Sequence, residues 1–126
     1  MQLRQGIDIV SVERLAAAAE RHGERFLDRI FTADERAYCD SKRYKFEHYA
    51  ARFAAKEAMM KAMEIRRKNR FRFREIEVAR RPTGKPEIRL SPESHRRFGL
   101  PLGAQVELSM AHERGYAISF VVLILP

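Results

Sequence analysis

The stretch RFAAKEAMMKA at 52–62 constrains the chain most, because it sets a carboxylate in the middle of an apolar helix face. At about 100° per residue, a helix over 45–64 brings Phe46, Ala50, Phe53, Glu57, Met60 and Lys61 to one side, with Tyr49 and Ala54 at its flanks. An acid buried there without a partner costs several kcal/mol or gives up its charge. Glu57 therefore requires a cation. Lys61, one turn on, supplies one as an i, i+4 pair. The alternative is a metal ion or polar site where this helix meets another element. Pattern alone leaves both readings open.

With 126 residues, the sequence is expected to form a single domain over 1–126. A formal net charge of +8 selects acidic partners: nucleic acid, anionic lipid, a phosphorylated small molecule or an acidic protein. Cys39 is the one cysteine, so an intrachain disulfide and a cysteine-based metal site are both excluded. Its expected role is that of a small buried residue, and its solitude fits a reducing, cytoplasmic setting. No apolar run reaches the length of a signal peptide or membrane span; the longest, at 120–125, is six residues. No membrane anchor is expected.

Residues 5–12, QGIDIVSV, read as a strand with Ile7 and Ile9 on one face and Asp8 and Val10 on the other. Aspartate is a poor strand former. Asp8 is thus either a strand-end residue or a placed ligand. Ser11 caps a helix over 12–22 that Gly23 ends. Arg14, Arg21 and Arg25 line up as a solvated face or as a docking surface for an acidic partner. Thr32 and Glu35 form a capping box, with Phe31 as its hydrophobic staple, and a short helix to about Cys39 follows.

Beyond the long helix, RRKNRFRFR at 66–74 interleaves basic residues with Phe71 and Phe73. It reads equally as a surface that tracks nucleic acid or as an exposed loop entering a strand. Strands are expected at 74–79 and 87–90, joined by the turn-rich RRPTGKP. Ser91 and Pro92 open a short helix, carrying an exposed His95, that Gly99 and Pro101 close. A second hairpin pairs 105–111 with 116–125 around His112, Glu113, Arg114 and Gly115. Its last strand is apolar on both faces over 120–125, which an oligomer explains more economically than a second covering layer.

Four ionisable residues in apolar surroundings stand out: Asp8, Glu57, Lys61 and His112. A strand Asp and a helix Glu together suit Mg²⁺, which takes few carboxylates and completes its shell with water and phosphate oxygens. Lys61 then neutralises phosphate charge, and His112 does the same or relays a proton.

Five blocks in order resemble the holo-[acyl-carrier-protein] synthases, the short class of 4′-phosphopantetheinyl transferases. They are GIDIVSVERL at 6–15, FTADERAYC at 31–39, RFAAKEAMMKA at 52–62, IEV with GKPEI within 76–88, and LSMAHERGYAISFVV at 108–122. The resemblance implies an α+β fold in which a small antiparallel sheet packs against a long helix, assembled as a trimer with each site between two subunits. It implies transfer of the phosphopantetheine arm of coenzyme A to a serine of an acidic acyl carrier protein in fatty acid synthesis, with release of 3′,5′-ADP. By the same resemblance Asp8 and Glu57 hold Mg²⁺ and Lys61 contacts the pyrophosphate. His112 and Lys85 lie at the coenzyme A site, Arg43 and Arg52 receive the nucleotide's phosphates, and Arg14, Arg21 and Arg25 meet the carrier. The base is Glu57 or Asp8 acting through water, with His112 as competitor.

Two departures from the family pattern are visible. Residues 63–74 contain no glycine where the family carries a G-x-G stretch, and Ala111 stands where it usually has serine before the histidine. A basic nucleic-acid-binding module using 66–74, and a coenzyme A binder without transfer, are the alternative functions.

Overall fold

The computed structural model describes residues 1–65 and 72–126. The residues from 66 to 71, most of the basic stretch singled out above, lie outside the described residues. Strand β1 (Gln2–Ser11) leads into α1 (Val12–His22), α2 (Glu24–Ile30) and α3 (Ala33–Asp40), and then into the long α4 (Lys45–Ala62). A 3-10 turn (Phe73–Glu75), the strands β2 (Glu77–Arg80) and β3 (Pro86–Arg89), and α5 (Pro92–Arg97) follow. The chain closes with β4 (Gln105–Glu113) and β5 (Tyr116–Leu125). Antiparallel pairing orders the main sheet β1-β5-β4, while β2 and β3 form a separate hairpin, so the α+β expectation holds.

The local signals work as expected at most element ends. Ser11 Oγ accepts from the Arg14 amide, and Thr32 and Glu35 complete a reciprocal capping box. Phe31 does not staple α3, because the residue one turn into that helix is Arg36; its ring packs edge-on against Tyr49 at 4.8 Å instead. The expected strand at 74–79 begins as the 3-10 turn and pairs only from Glu77. His112 and Glu113 belong to β4 rather than to its turn, which is made by Arg114 and Gly115, both at positive φ.

Helix α4 is the axis of the fold. One apolar face was expected; in the structure twelve of its residues from Tyr49 to Ala62 are buried, on every side. Its alanines make this possible, since small side chains let neighbours approach from all round. One core cluster joins Ala55, Ala58 and Met59 to Val121, Leu123, Ile76 and Val78. The other joins Tyr49, Ala50 and Ala51 to Leu15, Leu27 and Phe31. Between them lies a fully buried ion pair. Lys56 Nζ donates to Glu35 Oε1 at 2.8 Å and to the Phe73 and Ile76 carbonyls at 3.1 and 2.7 Å.

Pairing fixes which residues share each sheet face. Asp8 sits opposite Ser119, which sits opposite Met110, and Val10 opposite Ala117, which sits opposite His112; both rows face α4. The other face carries Leu3, Ile7, Ile9, Ile118 and Phe120, all exposed. Expecting apolar residues on both sides of the last strand was therefore right: Val121 and Leu123 pack on α4, while Phe120 is left outside.

Candidate functional site

Close backbone contact between β1 and α4 creates the site. Gly6 lies against α4 so tightly that a Cβ there would come within 1.9 Å of the Ala58 carbonyl oxygen. Nothing stands between strand and helix. Two residues further along β1, Asp8 reaches the same helix, and Lys61 Nζ donates to its Oδ1 at 3.2 Å and to the Ile7 carbonyl at 2.9 Å. Lys61 thus serves Asp8, the partner that the i, i+4 reading did not anticipate. Asp8 and Glu57 line one cleft of about 390 Å³ with Arg14, Phe26 and Phe53. Ser119, beside Asp8 in the sheet, donates to the Ala51 carbonyl at 2.8 Å and pins β5 to the helix there.

Two acids over a single cleft are a hard-cation donor set. Among the described residues no three acidic, histidine or cysteine groups gather to hold a metal. A cation such as Mg²⁺ therefore fits these residues only if water and phosphate oxygens supply its remaining ligands, as it prefers.

A second centre occupies the N-terminal half of α4. Arg52 is 2% exposed, yet its Nε has no partner, and a long 3.4 Å bond from Nη1 to the His48 carbonyl is the hydrogen bond recorded for its side chain. Among the described residues it makes no ion pair. Its guanidinium stacks 4.2 Å from the Tyr38 ring centre, which Lys42 and Arg80 also approach at 4.7 and 5.0 Å. His48 packs edge-on to the same ring and lies 6.3 Å, centre to centre, from His112. Burial pushes the His48 pKa down, and the charges of Arg52, His112 and Lys42 push it further. Among the described residues Glu47 is the acid recorded in this centre, 3.4 Å from His112 Nδ1, and the Arg52 charge has no carboxylate of its own.

Of the residues singled out in the sequence, Asp8, Glu57, Lys61 and Arg14 come together at the cleft, and Arg52 with His112 at the cationic centre. His112 lies one row along and two strands across from Asp8, which sheet spacing of about 3.4 Å per residue and about 4.8 Å per strand makes roughly 12 Å within one protomer. Arg43 is exposed and lies over Tyr44, and Lys85 pairs with Glu107 at 3.3 Å. Arg21 and Arg25 are exposed on α1 and α2. Sequence reasoning missed Tyr38, His48, Lys56 and Arg80; the one available signal was the i, i+4 spacing of His48 and Arg52.

A carboxylate cleft and a cationic pocket on one helix suit a substrate that carries several phosphates. The profile of the 4′-phosphopantetheinyl transferase superfamily matches residues 4–121. The chain is 37% identical to a holo-[acyl-carrier-protein] synthase of Ruminiclostridium cellulolyticum, over 99% of this chain and 94% of that one. It is 41% identical to one of Koribacter versatilis, over 98% of each. Among solved structures, the ACPS-CoA complex of Chronobacterium ammoniagenes superposes with a TM-score of 0.86 at 27% identity, covering 100% and 99% of the two chains. The Helicobacter pylori holo-[acyl-carrier-protein] synthase in complex with coenzyme A gives 0.83 at 32% identity, covering 95% and 99%. The chain belongs to the 4′-phosphopantetheinyl transferase superfamily, and within it to the holo-[acyl-carrier-protein] synthases.

Proposed function

We propose that the protein transfers the 4′-phosphopantetheine arm of coenzyme A to a serine of an apo acyl carrier protein and releases 3′,5′-ADP, with Mg²⁺ as its metal. The observation that carries this reading is the convergence of Asp8 and Glu57 on one cleft with Lys61 held against Asp8. Asp8 and Glu57 are the residues that hold the metal, which when bound neutralises pyrophosphate charge.

In the reaction the carrier's serine oxygen forms a bond to the phosphorus that bears the pantetheine arm. The bond from that phosphorus to the bridging oxygen breaks, and the electron pair leaves with 3′,5′-ADP. The serine proton passes through water to Asp8 or Glu57, and Lys61 offsets charge growing on the phosphate oxygens. Arg52 takes a phosphate of the nucleotide into its cationic pocket, and in this reading His112, Lys85 and Arg43 also serve the coenzyme A site. Arg14, Arg21 and Arg25 meet the acidic carrier, and Arg14 already borders the cleft.

Within a protomer the carboxylates and His112 lie on separate rows, while the apolar sheet face is uncovered. Both facts favour a trimer in which one subunit's carboxylates and another's cationic pocket share a coenzyme A molecule. The reaction belongs to the cytoplasm, where coenzyme A and apo carrier meet; among the described residues no helix is long and apolar enough to cross a membrane. The test is incubation of purified protein with coenzyme A, Mg²⁺ and a panel of apo carriers. Mass spectrometry should find one phosphopantetheine group added to the carrier serine. Stabilisation by coenzyme A with no carrier modified would reduce the protein to a binder.

A further inference from the structure

We infer that Tyr38 and Arg80 make the enzyme select nucleotides that carry a 3′-phosphate. Tyr38 is a positioning residue that gathers Arg52 and Arg80 at one point, and Arg80 supplies a second guanidinium to the phosphate that Arg52 takes. The inference rests on the reading above that Arg52 receives a phosphate of the nucleotide, and it adds two residues and a substrate distinction to that reading.

Arg52 and Arg80 come from separate elements, α4 and β2, and Tyr38 on α3 joins them. The Arg52 guanidinium lies 4.2 Å from the Tyr38 ring centre and the Arg80 guanidinium 5.0 Å. Arg80 is held at two points. Its Nη1 donates to the Tyr38 hydroxyl, and its Nη2 lies over Gly84 in the β2–β3 turn, where a Cβ would come within 3.3 Å of it. Among the described residues neither arginine makes an ion pair. The acids beside Tyr38 and His48 in the chain are engaged: Asp40 accepts from the Tyr49 hydroxyl at 2.7 Å, and Glu47 lies 3.4 Å from His112 Nδ1. Two like charges on one ring repel, and each cation–π contact offsets only about 0.5–2 kcal/mol. A dianion set against both relieves that repulsion, and each guanidinium offers it paired donors.

Chemistry selects which phosphate this is. Coenzyme A carries a pyrophosphate and a 3′-phosphate, and in the reading above the pyrophosphate belongs to the cleft of Asp8, Glu57 and Lys61. The group left for Arg52 is the 3′-monoester, which bears about two negative charges at neutral pH. Arg80 is exposed while Arg52 is buried, which places one guanidinium at the mouth of the pocket and the other at its floor.

The experiment measures binding by calorimetry with two probes, 3′,5′-ADP and 5′-AMP, the second lacking the 3′-phosphate. Transfer kinetics are compared with coenzyme A and 3′-dephospho-coenzyme A. Arg80→Gln should weaken 3′,5′-ADP about tenfold and raise the coenzyme A KM to match, with 5′-AMP binding, the 3′-dephospho-coenzyme A KM and kcat unchanged. Tyr38→Phe keeps the ring and loses the hydroxyl that holds Arg80, so it should resemble Arg80→Gln. Tyr38→Leu also loses the ring under Arg52 and should erode the preference for 3′,5′-ADP further. Arg96→Gln, an exposed neutralisation on α5, should change each value less than about twofold. Arg80 and Tyr38 variants that weaken both probes alike, as a merely structural role would, or that weaken neither, would overturn the inference. Arg52→Gln separates it from the reading beneath. If that variant keeps the wild-type preference for 3′,5′-ADP, the phosphate lies away from Arg52 and both fail; a preference lost with Arg52 but kept in Arg80→Gln and Tyr38→Leu overturns the inference alone. The binding arm decides this whether or not any carrier is modified.

Discussion

Gly6 and Ala58 meet backbone to backbone, and that contact fixes the distance between the two carboxylates of the cleft. Asp8 lies two residues beyond the contact on β1, Glu57 one residue before it on α4 and Lys61 three residues after it. Any atom inserted at Gly6 separates strand from helix where the site depends on their separation.

Gly6→Ala is therefore expected to act on stability and activity together. The added methyl collides with backbone, which yields less readily than a side chain. Urea denaturation at fixed protein concentration should report a loss of about 1–3 kcal/mol or more, with transfer activity falling further than the folded fraction. Gly103→Ala serves as the control, because its Cβ would meet only Pro126 Cγ at 3.6 Å, ordinary contact.

Removing either cleft charge while keeping its shape tests the chemistry. Asp8→Asn and Glu57→Gln should each lower kcat by about 100-fold or more while leaving thermal stability near wild type. Each variant should also require more Mg²⁺ for half-maximal rate. Unchanged rates in both would remove Asp8 and Glu57 from the reaction.

The uncovered sheet face gives a prediction about assembly. Ile9 and Phe120 sit on it at 62% and 38% exposure. A charge placed in an apolar interface is left unpaired and desolvated. Ile9→Glu or Phe120→Glu should shift the mass measured by light scattering from trimer toward monomer. Activity should be lost with the trimer if each site needs two subunits.

Lys56 and Glu35 yield a stability prediction. Both side chains are wholly buried, and Glu35 also accepts from the Val78 amide and the Thr32 amide. Removing one partner strands the other charge. Lys56→Met should cost about 3–5 kcal/mol, read by denaturation at fixed concentration.

The same pair marks where the sequence stops being legible. Elements with local causes were readable: Ser11 and Gly23 bound α1, Thr32 and Glu35 cap α3, and Ser91 with Pro92 opens α5. Asp8 and Glu57 were visible because a carboxylate among apolar neighbours is anomalous within a few residues. Lys56 was not, since its explanation is Glu35, 21 residues away. Arg52 gave no signal of burial, because arginine on a helix usually reaches solvent. Its environment is assembled from Tyr38 on α3 and Arg80 on β2, and no spacing rule brings those together. The alternation of β1 was legible, with Ile7 and Ile9 opposite Asp8 and Val10, but which face meets α4 was not, and it is the one that carries the acid.

His48 provides a reporter for the Arg52 pocket. In the free protein burial lowers its pKa, and the positive charges of Arg52, His112 and Lys42 lower it further. A histidine depressed in this way favours the folded state above the ordinary histidine pKa, and that contribution disappears as pH falls through the lowered value. A phosphate bound at Arg52 leaves the burial in place but offsets the three cations, so the imidazolium becomes easier to form. Titration of the histidine ring protons by NMR should place His48 below the usual range without ligand and move it upward with saturating 3′,5′-ADP. Arg52→Gln should raise it in the free protein, because one of the depressing charges is gone, and should remove most of the response to ligand. A His48 pKa that 3′,5′-ADP leaves unmoved, under conditions where binding is complete, would put the nucleotide's phosphates somewhere other than Arg52.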